Sequence, residues 1–230
     1  MKTLAIILLP LLIFQNIANA QTAKDYYYSG LNEENQMHQK KAIVFYTMAL
    51  ELNPQSDSLR LFCYFHRAWD KQALKDYKGS VEDYTSAIAI FPMLGDLYYN
   101  RGVVEDTMGN YEAAIPDFTK AIEINPNDWQ AYVDRGFCKN EKKEYKEAVD
   151  DFTASIAIFP NKFAFYDRAI SEHNLGNFQA ALFDLNSAID LDSNYYLAYL
   201  LRSNVKKDMG DLKGAASDLK MASKAKSRGK

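Results

Sequence analysis

Two stretches of the chain superpose position by position. Tyr77, Val81, Asp83, Tyr84, Ala87, Ile88 and Pro92 are matched 34 residues later by Tyr111, Ile115, Asp117, Phe118, Ala121, Ile122 and Pro126. The apolar members of each block recur every three or four residues, the spacing that gathers side chains on one face of an α-helix. Ahead of the second block, Tyr98, Arg101, Gly102 and Glu105 share a face in the same way, and Gly109-Asn110 breaks the chain between the two segments. Asn125-Pro126 closes the second segment, because a proline ring disfavours helical backbone at the residue before it. The pattern predicts a helix-turn-helix hairpin of about 34 residues.

The hairpin recurs. Tyr145, Asp151, Phe152, Ser155 and Pro160 repeat the series, then Phe178, Asp184, Leu185, Ala188 and Ser193, then Leu212, Asp218, Leu219 and Ala222, at successive offsets of 34, 33 and 34. An earlier copy through Ala42, Tyr46, Ala49 and Pro54 stands 38 residues ahead of the next, with an insertion of four residues around Gln55 to Leu61. Six units result, starting near Ala23, Leu61, Gly95, Trp129, Lys162 and Tyr196, in a repeat region over 21–226 followed by a basic end at 227–230; the tail from Lys224 to Lys230, with four basic residues and no apolar face, reads as solvated. One hairpin cannot bury its apolar stripe alone; stacked neighbours form a continuous core, and six units exceed the roughly three needed for stability. Ala68, Gly102, Gly136, Ala169 and Ser203 are small so that paired helices can approach, and Pro116 is expected to kink its helix by removing a backbone donor.

The first twenty residues stand outside this pattern: Lys2, the apolar run from Leu4 to Ile17, then Ala18-Asn19-Ala20. This is the layout of a secretory leader cut after Ala20. The 14-residue run, interrupted by Pro10 and Gln15, is shorter than the ~20 residues of a membrane-spanning helix. No cysteine adjoins the cut to accept a lipid, so the mature chain is expected to be exported, periplasmic or secreted, with no membrane span. Losing Lys2 leaves 26 basic against 30 acidic residues, a formal charge of about −4, which argues against nucleic acid as a partner. Cys63 and Cys138 fall two units apart, beyond the ~7 Å that a disulfide spans between Cα atoms, and read as small buried apolar residues.

These residues resemble the tetratricopeptide repeat family, whose pattern runs aromatic, small residue, turn, then alanine, aromatic and alanine, with a closing proline. The resemblance covers nearly all of residues 23–226. It implies an all-α, right-handed superhelical solenoid of about six helix-turn-helix repeats, in which the first helices line a concave groove that holds a ligand. Tyrosine or phenylalanine replaces the usual tryptophan, and an arginine stands where the family commonly has leucine.

That arginine recurs as Arg67, Arg101, Arg135, Arg168 and Arg202, each followed sixteen residues later by Asp83, Asp117, Asp151, Asp184 or Asp218. The first unit has Ser29 and Phe45 at these positions, so both members are missing together. Such co-occurrence points to structural ion pairs joining the first helix of a unit to its second; a recurring ligand site is the alternative.

The groove positions that the resemblance implies are Tyr27 and Leu31, Phe65 and Trp69, Tyr99 and Val103, Val133 and Phe137, Tyr166 and Ile170, Leu200 and Asn204. One turn on stand Glu34, Gln72, Asp106, Asn140, His173 and Lys207. The groove is therefore expected to be aromatic and apolar with a polar edge, suited to an amphipathic helix or extended apolar segment, with Trp69 as the leading anchor. The competing reading packs these aromatics between helices. Some members of the family grip a C-terminal carboxylate with lysines, arginines and asparagines at the paired positions; only Asn204 matches here, with Lys207 a turn away, so that specificity is not carried over.

His38, His66 and His173 fall in different units without metal-ligand spacing, and neither a glycine-serine elbow nor a phosphate loop occurs. The expectation is a non-enzymatic protein without metal or cofactor. It binds other proteins as a scaffold or adaptor in the cell envelope; the alternative is a permanent structural subunit of an envelope or secretion complex, its groove empty.

Overall fold

The computed structural model describes residues 22–228; the leader read at 1–20 and the last two residues lie outside them. Twelve α-helices and no strand occur among the described residues. They are α1 (Ala23–Asn35), α2 (Gln39–Glu51), α3 (Asp57–Ala73), α4 (Tyr77–Ile90), α5 (Gly95–Thr107), α6 (Tyr111–Ile124), α7 (Trp129–Glu141), α8 (Tyr145–Ile158), α9 (Lys162–Asn174), α10 (Phe178–Leu191), α11 (Tyr196–Asp208) and α12 (Leu212–Arg228). The chain divides into two compact units, one ending at Pro92 with α1–α4 and the other beginning at Met93 with α5–α12.

Within each unit, odd and even helices pair as hairpins, and each second helix packs on the first helix of the next hairpin. In the larger unit α5, α7, α9 and α11 also approach one another in succession, whereas the second helices make no comparable approach. That asymmetry places the first helices on the inner side of this unit.

The hairpin turn is built the same way six times, through Met37, Lys75, Gly109, Lys143, Gly176 and Gly210, all with positive φ between 61° and 85°. The residue after each returns its N–H to a carbonyl five residues back, as in Asp76 to Lys71 and Asn110 to Glu105, closing the helix end. Glycine adopts this backbone freely; the methionine and two lysines do so against a steric cost of about 1 kcal/mol.

Two differences from the sequence pattern appear. The insertion before Leu61 is partly helical: Ser56 caps the helix by accepting from Leu59 N–H, so α3 starts at Asp57 and runs 17 residues. The basic end is helical up to Arg228: α12 continues through it and buries Ala225, while Lys224, Lys226 and Arg228 stay exposed. Helix α6 runs through Pro116, which lies exposed.

Close helix pairing rests on the small position. A Cβ on Gly102 would stand 2.9 Å from the Phe118 ring, and one on Gly136 2.9 Å from that of Phe152. Those two phenylalanines, with Tyr46, Tyr84 and Leu185 at the same position, are fully buried.

All five arginine–aspartate pairs are closed. Nε and one terminal nitrogen of Arg67, Arg101, Arg135, Arg168 and Arg202 donate to both oxygens of the partner carboxylate at 2.6–3.0 Å. The aspartates are 2–6 % exposed. Each guanidinium also lies 5.3–5.8 Å from the ring three residues earlier, those of Tyr64, Tyr98, Tyr132, Phe165 and Tyr199. The remaining nitrogen of Arg67, Arg135, Arg168 and Arg202 reaches back to the preceding second helix, donating to Thr47, Thr119, Thr153 and Asn186 at 2.5–3.0 Å. In the first hairpin, where the pair is missing, Tyr26 stacks on Phe45 instead, centroids 6.4 Å apart. Lys71, Lys139 and Lys206 add a second cation to Asp83, Asp151 and Asp218. At Asp218, burial raises the carboxyl pKa, but Arg202 and Lys206 outweigh it and hold the group below its usual range.

The smaller unit carries one buried charge without such support. Asp70 is fully buried, and neither carboxylate oxygen has a hydrogen-bond partner among the described residues. It occupies the place held by Val104, Cys138 and Val205 in other hairpins, all fully buried. Burial, and next the nearby Glu34 carboxylate, push its pKa up to about 7. Glu34 itself accepts from Tyr46 Oη at 2.5 Å and pairs with His66 Nδ1 at 3.0 Å.

Two predictions follow from these buried groups. Asp151→Ala or Arg135→Leu alone should each cost ~3–5 kcal/mol in urea unfolding, because each leaves one charge buried unpaired, while the double variant should cost clearly less than the sum. For Asp70 the folded-state pKa lies above the unfolded value, so the penalty is absent at pH 3, grows as pH rises past about 4 and is complete above about 7. Asp70→Asn should therefore raise Tm at pH 8 and leave it nearly unchanged at pH 4; an equal shift at both would contradict the buried-charge account.

Candidate functional site

In the unit ending at Pro92, the first helices are α1 and α3. Tyr27 lies among Phe62, His66 and Tyr46, with centroids 6.0–6.2 Å away, and Phe65 meets Tyr84 edge-on at 6.0 Å. Trp69, one turn after Phe65, is 52 % exposed. Beside Tyr27 an open cleft of about 440 Å³ is lined by Lys24, Tyr28, Leu31, Leu59 and Phe62 among others. Tyr27 and Tyr28 thus form one wall of a cleft.

In the unit beginning at Met93, the predicted groove residues divide by packing. Tyr99 lies against Phe118 with centroids 5.8 Å apart, and Val103 packs on the cluster of Ala114, Phe118 and Cys138. Tyr166 meets Tyr195 at 5.3 Å and joins the cluster around Ala169 and Leu185. Val133 and Ile170 are half-buried. Phe137 is 39 % exposed and touches Tyr111 only by an edge-on contact at 6.5 Å. Trp69 and Phe137 hold the same place in their hairpins, two residues after the arginine.

The residue just before the arginine adds a feature that the groove pattern missed: Asp134 on α7 and Asp167 on α9, which join Asp106 on α5. Tyr99 Oη donates to Asp134 at 2.9 Å, and Cys138 Sγ to Asp106 at 3.5 Å. Burial pushes the Asp134 carboxyl up to about 6 against the Tyr99 hydrogen bond, and burial with the charge of Asp134 pushes Asp167 up to about 7. Asp106 is likewise raised, chiefly by burial. The charge of Asp106 also raises Asp134, so the three carboxylates repel in sequence along α5, α7 and α9, and no ion pair joins any of them among the described residues. Their register beside the repeated arginine was visible in the sequence; their desolvation was not.

The first helices are also tied together by polar contacts. Asn140 Nδ2 donates to the Asp167 carbonyl at 3.3 Å and its Oδ1 accepts from Ser171 at 2.7 Å, while His173 Nε2 pairs with Asp208 at 2.7 Å. Gln72 is half-buried, and Asn204 and Lys207 are exposed. Cys63 and Cys138 are both free and fully buried. Burial raises both thiols, Cys63 to about 12, which removes thiolate chemistry at neutral pH. Among the described residues no three His, Cys, Asp or Glu side chains are grouped to hold a metal, and no helix is long and apolar enough to cross a membrane.

Comparison with known proteins matches this architecture. Two family models, each described as a tetratricopeptide repeat, match residues 95–128 and 118–150. No curated protein matches the chain. Among solved structures, YrrB, described as a TPR protein with an unusual peptide-binding site, is similar with a TM-score of 0.69 and 26 % identity, covering 81 % of this chain and 94 % of its own. A tetratricopeptide repeat protein from Parabacteroides merdae superposes with a TM-score of 0.62 at 21 % identity, over 93 % of this chain and 82 % of its own. MamA from Desulfovibrio magneticus gives 0.70 at 17 % identity, over 74 % and 96 %. The last two likenesses speak to the fold alone. Repeated hairpins, family matches and structural neighbours together identify the chain as a tetratricopeptide repeat protein, an all-α helical repeat solenoid.

Proposed function

We propose that this chain is an exported scaffold that binds an apolar or amphipathic segment of another protein on its first-helix faces. Tetratricopeptide repeats support protein–protein interaction and are generally not catalytic. The observation that carries the finer reading is the side chain two residues after the repeat arginine. It is Trp69, Val103, Phe137 and Ile170 in four successive hairpins and Asn204 in the last, with the tryptophan 52 % and the phenylalanine 39 % exposed. A recurring apolar side chain on the layer of first helices is what a partner segment would bury. The peptide-binding site ascribed to YrrB supports the same use of the fold. Export rests on Lys2, the apolar run and Ala18-Asn19-Ala20, and places the partner in the cell envelope or outside the cell.

A second reading, a permanent structural subunit, is favoured by Phe183 on the second helix α10, which is 66 % exposed. Affinity purification of tagged protein, wild type beside Trp69→Ala, Phe137→Ala and Phe183→Ala, separates the two. The first reading expects Trp69→Ala or Phe137→Ala to weaken a wild-type partner about 30-fold or more, as loss of an anchor worth ~2 kcal/mol does, with helical circular dichroism unchanged. Retention by both, with loss only on Phe183→Ala, would replace it with the second.

A further inference from the structure

The first-helix face of the unit beginning at Met93 is acidic where it is apolar. Asp106, Asp134 and Asp167 flank Phe137 and Ile170 on α5, α7 and α9, and their hydrogen bonds come from a phenol and a thiol, neither of which brings positive charge. The repeat arginines of this unit are committed to Asp117, Asp151, Asp184 and Asp218, and Lys139 to Asp151. Any segment seated on this face must neutralise desolvated carboxylates as well as cover apolar side chains.

The same chain carries a surface of the opposite kind. Helix α12 bears Lys213, Lys220, Lys224, Lys226 and Arg228. Its one acid, Asp218, is buried under Arg202 and Lys206. Among these cations stand Leu212, Leu219 and Met221, which are 66, 51 and 40 % exposed. Leu219 holds the hairpin position at which Phe118, Phe152 and Leu185 are fully buried, and among the described residues no helix but α11 packs substantially on α12. With 17 residues α12 is about 25 Å long, enough to cross several side-by-side helices.

We propose that the occupant of the acidic first-helix face is the basic, leucine-bearing face of α12 from a second copy of this chain. The inference rests on the reading of the first helices as the binding layer and names what fills it. Face and helix are different surfaces, so the contact is head-to-tail and each copy keeps one face and one helix free for the next; unless a ring closes, the copies assemble into open chains. Charge pairing between exposed lysines and a partly desolvated carboxylate row sets register and makes the assembly salt-sensitive.

Sedimentation velocity on purified protein tests this across a concentration series at 50 and 500 mM salt. Wild type should associate at low salt, with affinity at least tenfold lower at 500 mM. Lys220→Glu/Lys224→Glu, exposed on α12, and Asp134→Lys/Asp167→Lys, on the face, should each be monomeric where wild type associates. Mixing the two reversed variants should restore a heterodimer, because basic face then meets acidic helix. If the aspartate variant loses helical circular dichroism, the helix variant alone decides by its loss of association. A wild type monomeric throughout, or association untouched by the helix variant, overturns the proposal. Partner capture still dependent on Phe137 would then keep the binding-layer reading standing, whereas capture indifferent to Trp69 and Phe137 would remove that reading as well.

Discussion

The architecture depends on a guanidinium held on several sides. Each repeat arginine lies by an aromatic ring and binds a buried carboxylate in two-pronged fashion, and Arg67, Arg135, Arg168 and Arg202 also reach a hydroxyl or amide on the preceding second helix. Such an arrangement adds little net stability over a well-packed leucine, since removing two charges from water offsets most of their attraction. Its contribution is geometric. Arginine has five donors in a rigid plane, and satisfying them fixes the spacing and rotation of three helices at once.

Everything nearby takes its position from that plane. Three residues before the arginine stands the ring beside it; one residue after stands the small side chain that admits the aromatic of the second helix. The residue just before and the one two places after are left to other neighbours. Those are the positions of Asp134, Asp167, Trp69 and Phe137, which vary between hairpins while the frame around them repeats. A rigid periodic frame with variable residues at fixed offsets is how one fold supports many specificities.

The hairpins, their spacing and the five ion pairs were legible in the sequence because periodicity and co-occurrence are local or nearly so. The third contact of the arginine was not, since Thr47, Thr119, Thr153 and Asn186 are commonplace on a helix and acquire meaning only when hairpins stack. Facing was harder still: Tyr99 and Tyr166 fit a groove pattern as well as Phe137 does, yet they pack on buried clusters while Phe137 is exposed. Asp70 was invisible for the opposite reason. It breaks an apolar column, and a polar residue on an amphipathic helix looks solvent-facing until its surroundings are known. The helix through the basic end went unread because Ala225, its buried contact, is too small to register as an apolar face.

The hairpin turns divide the molecule in a way that composition conceals. Left-handed backbone falls on glycine at three of the four turns beyond Met93, but on Met37 and Lys75 at both turns before Pro92, where Asn53 adds another such residue. Strain of this kind is released when a turn opens, so it lowers the free energy of local opening without touching a single side-chain contact. Amide protons of α1 to α4 should then exchange with solvent sooner than those around Gly176 and Gly210, the unit ending at Pro92 opening more readily than the one beginning at Met93.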